Sequence, residues 1–322
     1  MALHTAFTEL VGCEVPIQLA PMGGVPTPAL IAAVNEAGAM GAFGAGPMPA
    51  EVVDAVASQV RAATDGPLAI NVLMPFVADD VVDVASQHAT VVDFYHGEPD
   101  PTLVARVHRH GVLAGWQVGS LEDAHAALDA GCDLLIVRGV EGGGRMHGSE
   151  SLWPLLVEVV EITNVPVLAA GGIGDGRGMA AALAAGAAGV RMGTRFLAAA
   201  ESAAHPVYRD AVIAASASDS VLTDDFRADW PDEWTTCRVL RSSLDAARAF
   251  DGDVVGELSL GPMTMPLPKF SVAPPLLTST GHVEAMPMYA GESVRFVHGV
   301  EPAGEIVHSI AARAEALLRA WG

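Results

Sequence analysis

The chain is short of aromatic side chains, positive charge and cysteine, and each shortage excludes something. Aromatics make up 5% of 322 residues although 51% are hydrophobic. Much of that apolar content is alanine, which disfavours an aromatic-rich β-sandwich and favours small-residue helices packed closely on a sheet. Lysine and arginine total 17 against 38 acidic residues, a formal net charge of -21. Such a charge repels nucleic acid and anionic membrane surfaces. It leaves room for an anionic cofactor, because helix N-termini and backbone amides hold phosphate locally. The three cysteines, Cys13, Cys132 and Cys237, are odd in number, far apart and without a CxxC pair. That excludes a disulfide framework or zinc knuckle and suits a reducing cytoplasm. The opening MALHTAFTEL has no basic-then-apolar layout, and the longest apolar stretch, around Met179 to Val190, is broken by glycines. The expectation is a soluble, unprocessed cytoplasmic protein with no membrane segment.

What the chain has in quantity is glycine, 34 residues gathered where strands would meet helices, which is where backbone must approach a ligand closely. Short β-rich runs occur at residues 17–20, 40–43, 68–72, 90–94, 112–118, 133–137, 165–170 and 188–192, separated by helix-like stretches such as 121–130 and 178–185. Eight alternating units predict an α/β chain folded as a (β/α)₈ TIM barrel rather than an open doubly wound sheet. Residues 198–217 read as a helix. From Thr223 to Met288 the character changes, with Trp230 and Trp234 close together and prolines at 231, 262, 266, 268, 274 and 275. This predicts a smaller C-terminal inserted lobe, with a last helix over 304–321. The expected division is 1–222 for the barrel, 223–288 for a substrate or lid lobe, and 289–322 for a segment returning to the barrel.

Barrel sites lie at the C-terminal strand ends, so the loops there carry the functional reading. After the first strand comes Ala20-Pro21-Met22-Gly23-Gly24, where two glycines let main chain lie against a flat ring, and Thr27 can cap a helix opening at Pro28. A plain tight turn is the alternative. Asn71 ends the third strand among apolar residues, where its amide meets either a heteroaromatic edge or its own loop backbone. After the sixth strand, Arg138-Gly139-Val140-Glu141-Gly142-Gly143-Gly144-Arg145-Met146-His147 is the most glycine-dense loop. His147 is its acid or base candidate by ordinary pKa, and a solvated bystander otherwise. The loops after the seventh and eighth strands, Ala169-Ala170-Gly171-Gly172-Ile173 and Met192-Gly193-Thr194, each open a helix. Paired there, they match the recurrent barrel phosphate site, with Arg191 or Arg195 able to add charge-assisted bonds.

With these residues in view the chain resembles the nitronate monooxygenase family, formerly the 2-nitropropane dioxygenases, and the related flavin-dependent enoyl-acyl-carrier-protein reductases. The likeness rests on Pro21-Met22-Gly23-Gly24, Asn71, Glu141-Gly142-Gly143-Gly144, Ala169 to Gly174, Met192-Gly193-Thr194 and Met288 to Val294. It implies noncovalent FMN, no metal, and oxidation of a carbanion or hydride transfer to the flavin. Carried over, the cofactor-binding residues are Ala20, Met22, Gly23, Gly24, Asn71, Gln117, Arg138, Gly142, Gly143, Gly171, Gly172, Arg191, Met192, Gly193 and Thr194, with Tyr289 and Gly291 to Ser293 closing over the ring. The catalytic candidates are His147 and Arg145. Arg145 stands where the family's Glu-Ala-Gly-Gly-His places its histidine, and His147 follows two residues later. Arg138 and Arg191 replace glutamines of relatives, and Gln117 replaces a lysine. An arginine near the ring or phosphate would favour anionic flavin electrostatically.

The leading expectation is an FMN-dependent oxidation of a nitronate or similar carbanion with oxygen. The rival is an NAD(P)H-dependent reductase of quinones or enoyl thioesters, and a third reading is a flavin-binding protein without turnover. The partner expected is a small-molecule substrate, with no nucleic acid or membrane and a homodimer left open. An inosine monophosphate dehydrogenase shares the glycine loops but needs a loop cysteine that Cys13, Cys132 and Cys237 do not supply.

Overall fold

The computed structural model describes residues 3–228, 230–260 and 263–321. Eight parallel strands form the centre: β1 (Ile17–Leu19), β2 (Gly41–Gly44), β3 (Leu68–Leu73), β4 (Val91–Tyr95), β5 (Leu113–Val118), β6 (Leu134–Arg138), β7 (Val167–Ala170) and β8 (Gly189–Met192). They pair in the order β1-β8-β7-β6-β5-β4-β3-β2. Met40 N donates to Ile17 O and Leu19 N to Met40 O, both at 2.9 Å, which brings β2 back onto β1. The result is the TIM barrel expected from the sequence, each strand lying within two residues of its expected place.

Local chemistry explains why helices start where they do. Thr27 caps the helix Pro28–Glu36, its hydroxyl oxygen accepting from Leu30 N at 3.0 Å with Pro28 in the first turn. Ser120 caps the helix Leu121–Asp129 and Asp175 the helix Gly176–Ala184, each side chain accepting from a backbone N–H in the first turn. The helix expected over 198–217 is shorter, Pro206–Ala214. Pro206 sets its start, and the residues before it are held in extended bridges, Ala199 to Glu301 and Ala204 to Leu276.

Alternation along the strands sorts the barrel interior into two layers. Toward the N-terminal ends, Met40, Ala42, Ala69, Val91, Leu134, Ile136 and Leu168 pack around Phe7 of the first helix (Ala6–Val11), which plugs that mouth. One pleat further up, the same inward face carries Gln18, Asn71, Asp93, Gln117 and Arg191, all buried. The outward residues, such as Leu135, Val137, Val190 and Met192, pack beneath the helices.

Past the barrel the chain builds two small antiparallel sheets. One pairs Ser220–Thr223 with Cys237–Leu240, and its third strand is Gly144–Arg145 from the loop after β6. The other is made from Val254–Leu260, Met263–Pro268 and Ser279–Gly281. The barrel loop is therefore a strand of the lobe, and Ser220–Thr223 crosses the division drawn at Thr223. A last helix, Ala303–Trp321, returns against the helices Gly176–Ala184 and Pro28–Glu36. Among the described residues no helix is long and apolar enough to cross a membrane.

Candidate active site

A cavity of about 270 Å³ opens at the C-terminal strand ends, under the lobe. Of the residues expected to hold a cofactor, Ala20, Met22 and Gly23 line it from the loop after β1, Asn71 from β3, and Gln117 from β5. Arg138, Gly142 and Gly143 line it from β6 and its loop, Gly171 and Gly172 from the loop after β7, and Arg191, Gly193 and Thr194 from β8 and beyond. Two do not. Gly24 turns toward Leu276, and Met192 is an outward strand residue in the helix-facing core. Tyr289 and Ser293 reach the cavity from the returning segment.

The two glycine loops form one wall. Gly171 and Gly172 have φ of 103° and 69°, left-handed backbone that glycine adopts without strain. Gly193 is needed for a different reason: a Cβ there would lie 3.2 Å from Ala20 Cβ and 3.3 Å from Met22 Sδ. Among the described residues the amides of Gly172 and Thr194 donate to no carbonyl or side chain. A phosphate group fits such a cradle of free amides at helix-opening turns, so the residues present suit the phosphate end of a flavin mononucleotide.

The floor is a buried polar network. Arg191 Nη2 lies 2.6 Å from Asp93 Oδ2, with the two side chains 2% and 0% exposed. Arg191 Nε donates to Gln18 Oε1 at 2.7 Å and Nη1 to Gln117 Oε1 at 3.1 Å, while Asn71 Nδ2 donates to Asp93 Oδ1 at 2.7 Å. Arg191 is thus neutralised by Asp93, not a free cation beneath a ring. Neither reading of Asn71 taken from the sequence includes this bond to Asp93.

Arg138 and Arg145 differ from Arg191, since among the described residues neither has a carboxylate within ion-pair distance. Arg138 donates at 2.6 Å to Tyr95 Oη, Arg145 O and Gly143 O, which shapes the glycine loop into a hook. Arg145 donates from Nη1 to Thr235 O at 2.8 Å and from Nη2 to Phe226 O, with its guanidinium 4.4 Å from the Trp230 ring centroid. Lys269, the only lysine in the chain, lies elsewhere, bonded to Phe250 O.

His147, the base candidate of the sequence, does not line the cavity. Its Nε2 is 3.2 Å from Asp123 Oδ2, and its backbone N donates to Tyr95 Oη at 3.0 Å. Burial opposes ionisation of Asp123, but His147, the Gly119 amide and Ser120 together hold that carboxyl below its usual range. Gly119 and Gly148 lie backbone against backbone, leaving no room for a Cβ at either, which pins the loop, and the imidazole packs 6.4 Å from the His96 ring and 6.0 Å from that of Trp234.

The imidazole that does face the cavity is His96, directly after β4. It is 2% exposed and has φ of 60°, left-handed backbone that is uncommon outside glycine. Tyr95 packs 3.9 Å from its ring centroid and Trp234 5.7 Å. Sequence reading missed it because nothing local marks it. The available signal was its place in the loop after a barrel strand, in Tyr95-His96-Gly97. Burial first, then Arg138, His147 and Arg145, push its pKa down to about 2. The folded protein therefore keeps His96 neutral while the unfolded chain binds a proton below the ordinary value of 6.5. Stability is lost as pH falls from about 6.5 toward 2, with a slope approaching one proton, about 1.4 kcal/mol per pH unit. Urea unfolding from pH 7 to 5 is expected to fall more steeply for the native sequence than for His96→Asn. Equal slopes would mean that the native imidazole is protonated.

Cysteine chemistry finds no support, since no cysteine lines the cavity. Burial raises the thiols of Cys13 and Cys132 to about 12 and that of Cys237 to about 11. Among the described residues no cluster of His, Cys, Asp and Glu suits a metal ion.

Comparison with known proteins agrees with this geometry. The family model described as nitronate monooxygenase matches residues 4–89 and 77–313. A "(3aS,4S,5R,7aS)-5-hydroxy-7a-methyl-1-oxo-octahydro-1H-indene-4-carboxyl-CoA dehydrogenase" of Mycobacterium tuberculosis is 34% identical over 69% of this chain, a match spanning 64% of the dehydrogenase. The corresponding enzyme of Rhodococcus jostii is matched over 63% of its length, so this chain spans under two thirds of these relatives. A "Probable nitronate monooxygenase" of Staphylococcus saprophyticus is 31% identical over 70% of this chain and 76% of that protein. Among solved structures, FabK from Thermotoga maritima superposes with a TM-score of 0.81 at 30% identity, covering 99% of this chain and 98% of that one. A nitroalkane oxidase from Streptomyces ansochromogenes gives 0.81 at 29% identity over 99% and 100%. The chain belongs to the nitronate monooxygenase family.

Proposed function

We propose that this protein is an FMN-dependent oxidoreductase that oxidises a nitronate or similar stabilised carbanion with oxygen. One observation carries the reading: a single cavity is lined both by backbone amides that are free among the described residues and by the guanidiniums of Arg138 and Arg145, which no described carboxylate compensates. The amides of Gly172 and Thr194 would hold the phosphate, and Asn71, Gln117 and Arg191 would meet the polar edge of the ring. FMN would supply the electron acceptor that side chains lack. Arg145 would hold the charge of the substrate, and Tyr289 and Trp230 would cover the reacting atoms and exclude water.

The relatives favour a second reading. The 34% identity to a carboxyl-CoA dehydrogenase and the likeness to FabK support transfer of electrons to or from a thioester substrate, with NAD(P)H as donor. Purified protein is expected to be yellow and to release FMN on heating. Anaerobic mixing separates the two readings. Slow bleaching by NADH and NADPH, with rapid oxygen uptake on adding propyl-1-nitronate, supports the first. Rapid bleaching by either nucleotide overturns it as the main activity. A colourless protein that cannot be reconstituted with FMN overturns both, and a yellow one that turns over no substrate is a carrier.

A further inference from the structure

We propose that the buried ion pair of Asp93 and Arg191 is a positioning device. It locks the side-chain amides of Asn71 and Gln117 in opposite senses, so that the barrel floor offers the cavity one acceptor and one donor. A planar ring with an N–H beside a carbonyl, the chemistry of the pyrimidine edge of a flavin, completes that pattern. This deepens the proposed function and rests on it for the identity of the ring, though not for the orientation of the amides.

The chemistry of the pair leaves the amides no choice. A carboxylate only accepts hydrogen bonds and a guanidinium only donates them. Arg191 grips Asp93 as a fork, Nη2 donating to Oδ2 at 2.6 Å and Nη1 to Oδ1 at 3.2 Å, with both residues buried. Asn71 therefore turns its nitrogen to Asp93, Nδ2 donating to Oδ1 at 2.7 Å and to the backbone carbonyl at 3.2 Å. Gln117 turns the other way, its Oε1 accepting from Arg191 Nη1 at 3.1 Å. Gln18 obeys the same rule, its Oε1 accepting from Arg191 Nε at 2.7 Å, but it does not line the cavity and its Nε2 rests on Met40 Sδ.

The ends left over belong to the ligand. Asn71 and Gln117 both line the cavity, and among the described residues Asn71 Oδ1 and Gln117 Nε2 have no partner. Flipping Asn71 would set its oxygen against a carboxylate, and flipping Gln117 would set its nitrogen against a guanidinium. The polarity of the floor is thus fixed before anything binds, which removes an ordering cost from binding. The two charges of the pair cancel, so the floor recognises through amide dipoles. A ring edge of matching polarity satisfies both amides, whereas one without an N–H leaves the buried carbonyl of Asn71 unmade. Arg191 and Gln117 are two of the positions at which the sequence departs from the resemblance, so the device belongs to this chain and not to the shared motif.

The test measures Kd by fluorescence quenching on flavin-stripped protein for three ligands: FMN, 3-methyl-FMN, whose ring N–H is capped, and riboflavin, which lacks the phosphate. The native protein is expected to prefer FMN over 3-methyl-FMN by about tenfold or more. Asp93→Asn combined with Arg191→Gln keeps polar partners on the floor but no longer dictates which way the amides face. There the preference should fall to about threefold or less, with the ratio of FMN to riboflavin affinity unchanged. Gln117→Glu decides the matter even if the double variant does not fold. A carboxylate suits Arg191 and keeps the floor together, yet it turns an acceptor toward the ring. It is expected to hold or raise the urea midpoint and to bind FMN about tenfold more weakly. Equal native affinity for FMN and 3-methyl-FMN, a preference kept in the double variant, or native FMN affinity in Gln117→Glu overturns the positioning role. A fall in both ratios is a merely structural loss and overturns it too. The expected pattern without oxidation of propyl-1-nitronate supports the positioning role and overturns the proposed oxidation, and turnover without the pattern does the reverse. Failure to bind either flavin overturns both.

Discussion

Asp93→Asn is expected to destabilise the barrel by about 3–5 kcal/mol, because removing one partner strands a buried charge. Arg191 and Asp93 are 2% and 0% exposed, 2.6 Å apart, and among the described residues no other carboxylate contacts the guanidinium. Asparagine preserves shape and can accept one bond, so what is lost is charge, not volume. The remaining donors point to Gln18 and Gln117, which are neutral. Asn71 loses its carboxylate acceptor as well. The urea midpoint should fall with the denaturant slope unchanged. A buried ion pair gives little net stability over a well-packed apolar pair, but Asp93→Leu combined with Arg191→Met should recover only part of the loss, because the buried amides of Gln18, Gln117 and Asn71 lose their partners. If Asp93→Asn costs less than about 1 kcal/mol, the guanidinium has a route to water that the barrel floor here denies it.

The barrel was readable because it is built on period and spacing. Eight β-rich runs, glycine at the strand ends and the cap Thr27 are local signals, and each formed where it was expected. The glycine wall was readable for the same reason, since Gly171, Gly172 and Gly193 follow consecutive strands. The polar floor was not. Gln18, Asn71, Asp93, Gln117 and Arg191 lie up to 173 residues apart, and only closure of the ring turns them inward at one height. Arg191 looked like a cation awaiting an anion, because its partner Asp93 sits 98 residues away. His147 and His96 show the limit from the other side. The first lay in the most conspicuous loop, yet Gly119 and Asp123, remote in sequence, hold it away from the cavity. The second lay in an unremarkable turn, and the lobe tryptophans bury it. What sequence reading lacks in both cases is the packing of the lobe on the barrel.

That packing yields the second large effect expected. Gly143→Ala and Gly291→Ala should each weaken flavin binding while leaving the barrel folded. A Cβ on Gly143 would lie 2.5 Å from Gly291 N and 2.7 Å from Ala290 C; one on Gly291 would lie 2.6 Å from Glu141 O. All of these are backbone atoms, so no side chain can swing aside. Relief must come from moving the glycine loop away from the returning segment. Gly291 N also donates to Thr194 Oγ1 at 2.9 Å, so that shift reaches the phosphate wall. Overpacking of this kind costs about 1–3 kcal/mol, which as lost affinity is a roughly 5- to 150-fold rise in the Kd for FMN. Reconstitution of stripped protein, followed by flavin fluorescence quenching, measures it. Gly299→Ala is the control, because nothing lies within 4 Å of its added methyl. Were Gly143→Ala to bind FMN as the native protein does, the loop and the returning segment would have to separate freely. Closure of the lobe over the cavity would then contribute nothing to holding the cofactor.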